Sequence, residues 1–212
     1  MRSGRDESIC RFLKQGESAG SEGALPGEED FVPLTGWISV GLGRVSDGPV
    51  MYSGKEVTAK VGGDRFVLPP EFRHLVRESS GGQRIVCLQA HPSRPCLMGF
   101  GLSHRAELET RIDKEEAMAL ELGKEFDRED REIELFSFEK IPFDDSGRFA
   151  LPVDLLEHAG ITDKLYFQGS MRHFLIYSPD MVPGLGDEEA SPTIKRNCAA
   201  AMARFKAGKG AK

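Results

Sequence analysis

The side chains in this sequence best placed to do chemistry are arginines beside turns. Arg65 opens the phrase Arg65-Phe66-Val67-Leu68-Pro69-Pro70-Glu71-Phe72-Arg73, and Arg148 opens a second copy, Arg148-Phe149-Ala150-Leu151-Pro152-Val153-Asp154-Leu155-Leu156. A guanidinium is a planar fork that can hold a phosphate, or bond guanine O6 and N7 together in the major groove. The competing reading is a structural ion pair. Asp144 stands four residues before Arg148, close enough to orient it through a charge-assisted bond. Lys55 and Lys60 flank the first expected strand. They serve either as solvated charges guarding a sheet edge or as phosphate contacts.

Other chemistries find no support. The five histidines (His74, His91, His104, His158, His173) are separate in sequence. His91 and Cys96 share a hairpin, but two ligands make no zinc motif. Cys10, Cys87, Cys96 and Cys198 form no C-x-x-C pair and read as reduced thiols. There is no nucleophile elbow, phosphate loop or H-E-x-x-H. Asp144-Asp145 has no partner base and reads as a turn. No catalytic activity, cofactor or metal is therefore expected.

The elements that must position the arginines follow from the repeat. Each copy reads as strand, strand, short helix, strand, strand. Proline suits the start of the helix because the first turn needs no N–H from it. The apolar residues Phe72, Leu75 and Val76 in one helix, and Leu155, Leu156 and Ala159 in the other, recur at helical spacing. Hairpins follow, Arg84–Leu88 with Cys96–Phe100 and Lys164–Gln168 with His173–Tyr177, around Gly, Ser and Pro turns. The leading strands are expected at Glu56–Lys60 and Glu132–Phe138. The repeat predicts a two-lobed fold with pseudo-twofold symmetry. Residues 103–131 are charged and lack proline, predicting one or two linking helices with Ser103 and Asp113 as candidate caps. At the end, Ser191 and Pro192 predict a helix start and Gly208 its stop. The division is an N-terminal extension (1–50) expected to be disordered, a first domain (51–102), linking helices (103–131), a second domain (132–181), and a linker with a basic C-terminal helix (182–212). That helix serves either as a solubilising surface or as an arm on DNA or a partner. In the extension, Phe31 to Val45 with Trp37 is unusually apolar.

The net charge of −6 argues against nucleic acid only in total. Residues 51–100 hold seven Lys/Arg against four acids, and 182–212 hold six against three, whereas 101–140 hold seven against thirteen. DNA binding needs a local basic face, because only cations near phosphate displace its counterions. No run nears the ~18 apolar residues of a membrane span. The N-terminus has no apolar core of a secretory signal.

The unit of strand, Gly-Arg-hydrophobic-x-hydrophobic-Pro, short helix and hairpin resembles the SpoVT/AbrB domain. Two copies joined by linking helices resemble the MraZ family. Met51-Tyr52-Ser53-Gly54 is similar to that family's Met-aromatic-x-Gly start, and the resemblance covers Met51 to about Asp180. It implies an α+β, mainly β fold: two tandem SpoVT/AbrB-like swapped-hairpin (double-split β-barrel) domains joined by linking helices. It further implies a sequence-specific DNA-binding transcriptional regulator, cytoplasmic and nucleoid-associated. The partners would be double-stranded DNA, at promoter repeats of a cell-division and cell-wall gene cluster, and other copies in a ring-shaped homo-oligomer, with no membrane. The family's D-x-x-G-R motif falls on Asp144, Gly147 and Arg148. Copy one departs from it, with Val61 in the Asp place and Asp64 in the Gly place before Arg65. The implied DNA-binding residues are Arg65, Arg148, Lys55, Lys60, Asp144 and Gly147. Two alternatives remain: a structural or protein-interaction ring module that has lost DNA binding, motivated by the missing Asp, and an antitoxin-like AbrB regulator with a protein partner.

Overall fold

The computed structural model describes residues 50–63 and 65–210. Trp37, the 1–49 extension and Asp64 lie outside the described residues. In chain order the elements are β1 (Lys55–Ala59), β2 (Arg65–Val67), α1 (Pro70–Ser79), β3 (Ile85–Ala90), β4 (Leu97–Phe100), α2 (His104–Glu121), α3 (Arg128–Phe136), β5 (Glu139–Pro142), β6 (Arg148–Ala150), α4 (Val153–His158), β7 (Lys164–Ser170), β8 (His173–Tyr177), a 3₁₀ turn (Val182–Gly184) and α5 (Pro192–Gly210).

The two copies interleave. One antiparallel six-stranded sheet runs β1-β7-β8-β4-β3-β5, and β2 pairs with β6 in a separate ribbon. Exchanging the copies (β1 for β5, β3 for β7, β4 for β8) reverses this order and leaves it unchanged, so the pairing has the pseudo-twofold symmetry the repeat predicts. Each leading strand pairs with the other copy's hairpin: β1 with β7 and β5 with β3. This mixed α+β arrangement is consistent with SpoVT/AbrB-like architecture.

One continuous apolar core joins the copies, so the two lobes expected from the repeat are merged into one body by the interleaved strands. It holds Phe66, Leu68, Phe72, Val76 and Leu88 from the first and Phe149, Leu151, Leu155, Phe167 and Phe174 from the second. At Gly99, where β4 meets β8, a Cβ would lie 2.3 Å from the Phe174 ring, so only glycine lets this central pair close around the aromatic. The outer sheet face carries two further clusters. Under α5 lie Val57, Tyr166, Tyr177, Ile194, Cys198 and Ala201. Beside α2 and α3 lie Cys87, Phe100, Leu108 and the flanking Phe136 and Phe138.

Three expectations need correction. Residues 132–136 belong to α3, and the leading strand of copy two begins only at Glu139. The alternation Ile133, Leu135 and the spacing to Phe138 mimic a strand. However, Asp127 caps the helix by accepting from Asp130 N at 3.0 Å, and Arg128 and Arg131 tie it to Asp113, Glu116 and Glu115 on α2. Asp113 lies inside α2 and caps nothing, while the Ser103 hydroxyl meets the Ser79 hydroxyl at 2.7 Å. At the C-terminus Ser191 Oγ does accept from Ile194 N, but the helix runs through Gly208 instead of stopping before it.

Candidate nucleic-acid interface

The β2–β6 ribbon is three residues long on each side, with Arg65 opposite Ala150, Phe66 opposite Phe149 and Val67 opposite Arg148. Side chains alternate faces along a strand. Both phenylalanines therefore point inward and are buried, while both arginines lie on the outer face and are exposed. Arg65 and Arg148 are diagonal neighbours across the ribbon, with backbones roughly 7–8 Å apart. The repeat thus delivers one guanidinium from each copy to one surface.

Each arginine follows a tight loop. In copy two, Asp144 Oδ1 accepts the backbone N–H groups of Ser146 and Arg148, both at 2.9 Å. Asp144 N donates to Arg148 O at 3.0 Å, and Gly147 N to Asp144 O at 2.8 Å. These backbone donors, Arg148 N first, and the nearby Arg148 and Arg65 guanidinium charges hold the Asp144 carboxyl below the usual carboxylate range. Its other oxygen is 3.9 Å from Arg148 Nε, with both side chains about half exposed. Such a contact is a weak ion pair, too long for a hydrogen bond. The aspartate therefore organises the loop backbone and leaves the guanidinium available. Gly147 is needed for two reasons: its φ is +80°, and a Cβ would sit 3.0 Å from Leu68 O and 2.9 Å from Arg73 Cδ. Leu68 N donates to Gly147 O, locking the loop onto the other copy.

Copy one, with Val61 in the Asp144 place, keeps the closing backbone bond, but its left-handed residues fall at other positions of the loop. Val61 N donates to Arg65 O at 2.8 Å, the counterpart of the Asp144–Arg148 bond. Gly62 and Gly63, at φ +48° and +70°, supply the left-handed backbone.

The two lysines part company. Lys60 continues into the copy-one loop, where it is exposed, and its ammonium lies 6.0 Å from the centre of the Phe66 ring. Lys55 lies at the opposite end of β1, where Nζ donates to Asn197 Oδ1 at 2.6 Å and its carbonyl accepts from Arg204. It anchors α5 and is not brought to the arginines.

Three basic residues that the repeat did not single out surround the copy-two loop. Arg73, Arg77 and Arg84 line a cavity of about 240 Å³ with His74, Phe143 and Asp145. Arg84 Nη2 pairs with Asp145 Oδ1 at 2.9 Å, and Arg73 Nη1 donates to Asp145 O at 3.2 Å. The positive charge of residues 51–100 was their one sequence signal. Among the described residues no three His, Cys, Asp or Glu side chains gather as a metal site. Among the same residues no helix is long and apolar enough to cross a membrane.

A two-stranded ribbon carrying one exposed arginine from each repeat, beside a six-stranded sheet built from both, places the chain among mixed α+β proteins with interleaved repeats. The relatives of this chain fall under one description. It is 29% identical over 119 residues to the transcriptional regulator MraZ of Gluconobacter oxydans, covering 55% of this chain and 68% of that protein. It is 29% identical to the MraZ regulator of Rhodospirillum rubrum (54% and 71% covered) and 25% identical to that of Serratia proteamaculans (53% and 70%). No family model matches the chain. The relation to MraZ proteins is thus homology at low identity over about half of this chain.

Proposed function

We propose that this protein is a DNA-binding transcriptional regulator that meets the duplex with the outer face of the β2–β6 ribbon. One observation carries the reading: Arg65 and Arg148, one from each repeat, share that face while Phe66 and Phe149 anchor it from behind. The name shared by the relatives supports it. Arg148, Arg65 and Lys60 make the contacts, and Asp144 and Gly147 shape the loop. The single ribbon offers a small basic surface, so assembly into a ring that repeats it would raise avidity through effective concentration. Promoter repeats upstream of cell-division and cell-wall genes are the proposed target, and the nucleoid the proposed location.

The second reading is a ring-forming interaction module without DNA binding. Its support is the exposure of Met118, Leu120, Leu122 and Ile133 on α2, α3 and their connection. Anisotropy titration of a labelled duplex from the region upstream of the gene separates the two. The DNA reading expects binding whose log affinity falls with log salt at a slope near −4 to −5, for about four to six phosphate contacts at ~0.9 each. A flat response, or none, would favour the interaction module.

A further inference from the structure

The pseudo-twofold symmetry of the backbone is not a symmetry of charge. The copy-two loop faces Arg73 and Arg77 of α1 and Arg84 ahead of β3. Carried across the repeat, Arg73 corresponds to Leu156 and Arg77 to Gly160. Arg84 corresponds to Asp163, because Phe143 N donates to Arg84 O as Lys60 N donates to Asp163 O. The counterpart of a triad of arginines is therefore an apolar residue, a glycine and an acid, and that acid is already paired with Lys164 at 3.1 Å.

On the basic side, the acids in reach are few. Asp144 accepts from its own loop backbone, and Glu78 lies 3.9 Å from His74. That leaves Asp145, whose carboxylate is 83% exposed, on Arg84, which is 46% exposed. Arg77 is held through Nε by Gly82 O, which keeps it at the cavity without using its terminal nitrogens. An exposed carboxylate–guanidinium pair is weak and readily exchanged. A phosphodiester offers the same bidentate acceptor geometry.

We infer that Arg77 and Arg84, with Arg73 lining the same cavity, form a backbone-phosphate seat on the copy-two side alone, and that Asp145 occupies Arg84 until a DNA phosphate displaces it. This rests on the DNA-binding reading. It makes one half of the subunit the anchoring half, so the subunit grips the duplex asymmetrically although its fold is nearly symmetric.

The test uses the full chain and a random-sequence duplex, since phosphate contacts are independent of sequence. Anisotropy titrations between 50 and 200 mM salt compare wild type, Arg77→Ala/Arg84→Ala, Asp145→Asn, and the charge-matched control Lys114→Ala/Lys124→Ala on and after α2. The double arginine variant should lower the magnitude of the salt slope by about 2, at ~0.9 per contact, while the lysine control keeps the wild-type slope. Asp145→Asn should bind more tightly than wild type, with its slope retained, because the competing carboxylate is gone. The same Asp145→Asn change made in the Arg77→Ala/Arg84→Ala background should give no such gain, and an equal gain there would reflect general loss of negative charge and overturn the displacement. Wild-type slope in the arginine variant, or no gain from Asp145→Asn, overturns the seat while salt-dependent wild-type binding upholds the DNA reading. Absence of salt-dependent binding by wild type overturns both.

Discussion

Replacing Arg148 by alanine separates fold from function at the ribbon. The side chain is about half exposed, its closest ionic contact is the 3.9 Å approach to Asp144, and the loop is held by backbone bonds to the Asp144 carboxylate and not by the guanidinium. Nothing buried is lost, so the thermal midpoint should stay close to wild type. The buried anchor Phe149 next to it is untouched. Binding should suffer in proportion to the contact removed. A bidentate arginine–base contact is worth about 1–3 kcal/mol. At ~1.4 kcal/mol per decade that weakens the dissociation constant by about 5-fold to about 150-fold per engaged site, and more where several subunits bind together. The assay is anisotropy with the upstream duplex at fixed salt, paired with a thermal melt. A variant that melts like wild type and binds within twofold of it would refute the assignment. Arg65→Ala should cost less, since its loop lacks the carboxylate that fixes the copy-two turn. A larger loss there would reverse the ranking of the two copies.

Gly147→Ala forces a side chain into a +80° backbone with a Cβ 3.0 Å from Leu68 O. It should destabilise by roughly 1–3 kcal/mol, read as a lower melting temperature, and a wild-type melt would show the loop to be adjustable. Glu115 is held down to about 2 by hydrogen bonds from Arg131 and Arg111. A carboxyl depressed in the folded state stabilises above its ordinary value near 4.5 and loses that contribution as pH falls toward 2. Wild type should therefore melt higher than Glu115→Gln at pH 6, and the gap should narrow below about pH 4.5 and close only below about pH 2; a gap independent of pH would contradict this. Deleting residues 2–50, which carry eight acids and five bases, should leave the size of the particle in solution unchanged apart from the lost mass, and the proposed DNA affinity unchanged or slightly raised. Size-exclusion chromatography and titration check this, and a loss of either property would make that segment part of the working structure.

The arginine ribbon was legible because its two halves are written twice, each as Arg-Phe-hydrophobic-Leu-Pro. The interleaving was less so. A strand's alternation says which face is buried but not which hairpin it joins, so β1 satisfies its own copy and the other equally well on paper. Residues 132–136 misled for a related reason. Their near-alternating apolar pattern fits a strand, and the deciding forces, the Asp127 cap and the ionic ties of Arg128 and Arg131 to α2, come from residues outside that stretch. The C-terminal helix was found but its docking was not, because Ile194, Cys198 and Ala201 make a narrow stripe within an alanine-rich run. Arg77 and Arg84 were invisible as a pair, since the turn after α1 brings them to one cavity, with Arg84 on Asp145, only in three dimensions.

The crossed pairing of β1 with β7 also dictates an order of events during synthesis. Lys55–Ala59 leaves the ribosome long before Lys164–Gln168, a gap of about a hundred residues. At ~5–20 residues per second the first strand therefore waits roughly 5–20 s for its partner. The first repeat cannot mature alone in that interval, and contacts so distant along the chain are slow to form. During this wait its unpaired edge is open to another nascent chain. Neighbouring ribosomes on one message could thus exchange strands, so crowded translation should yield intertwined dimers that slow expression avoids.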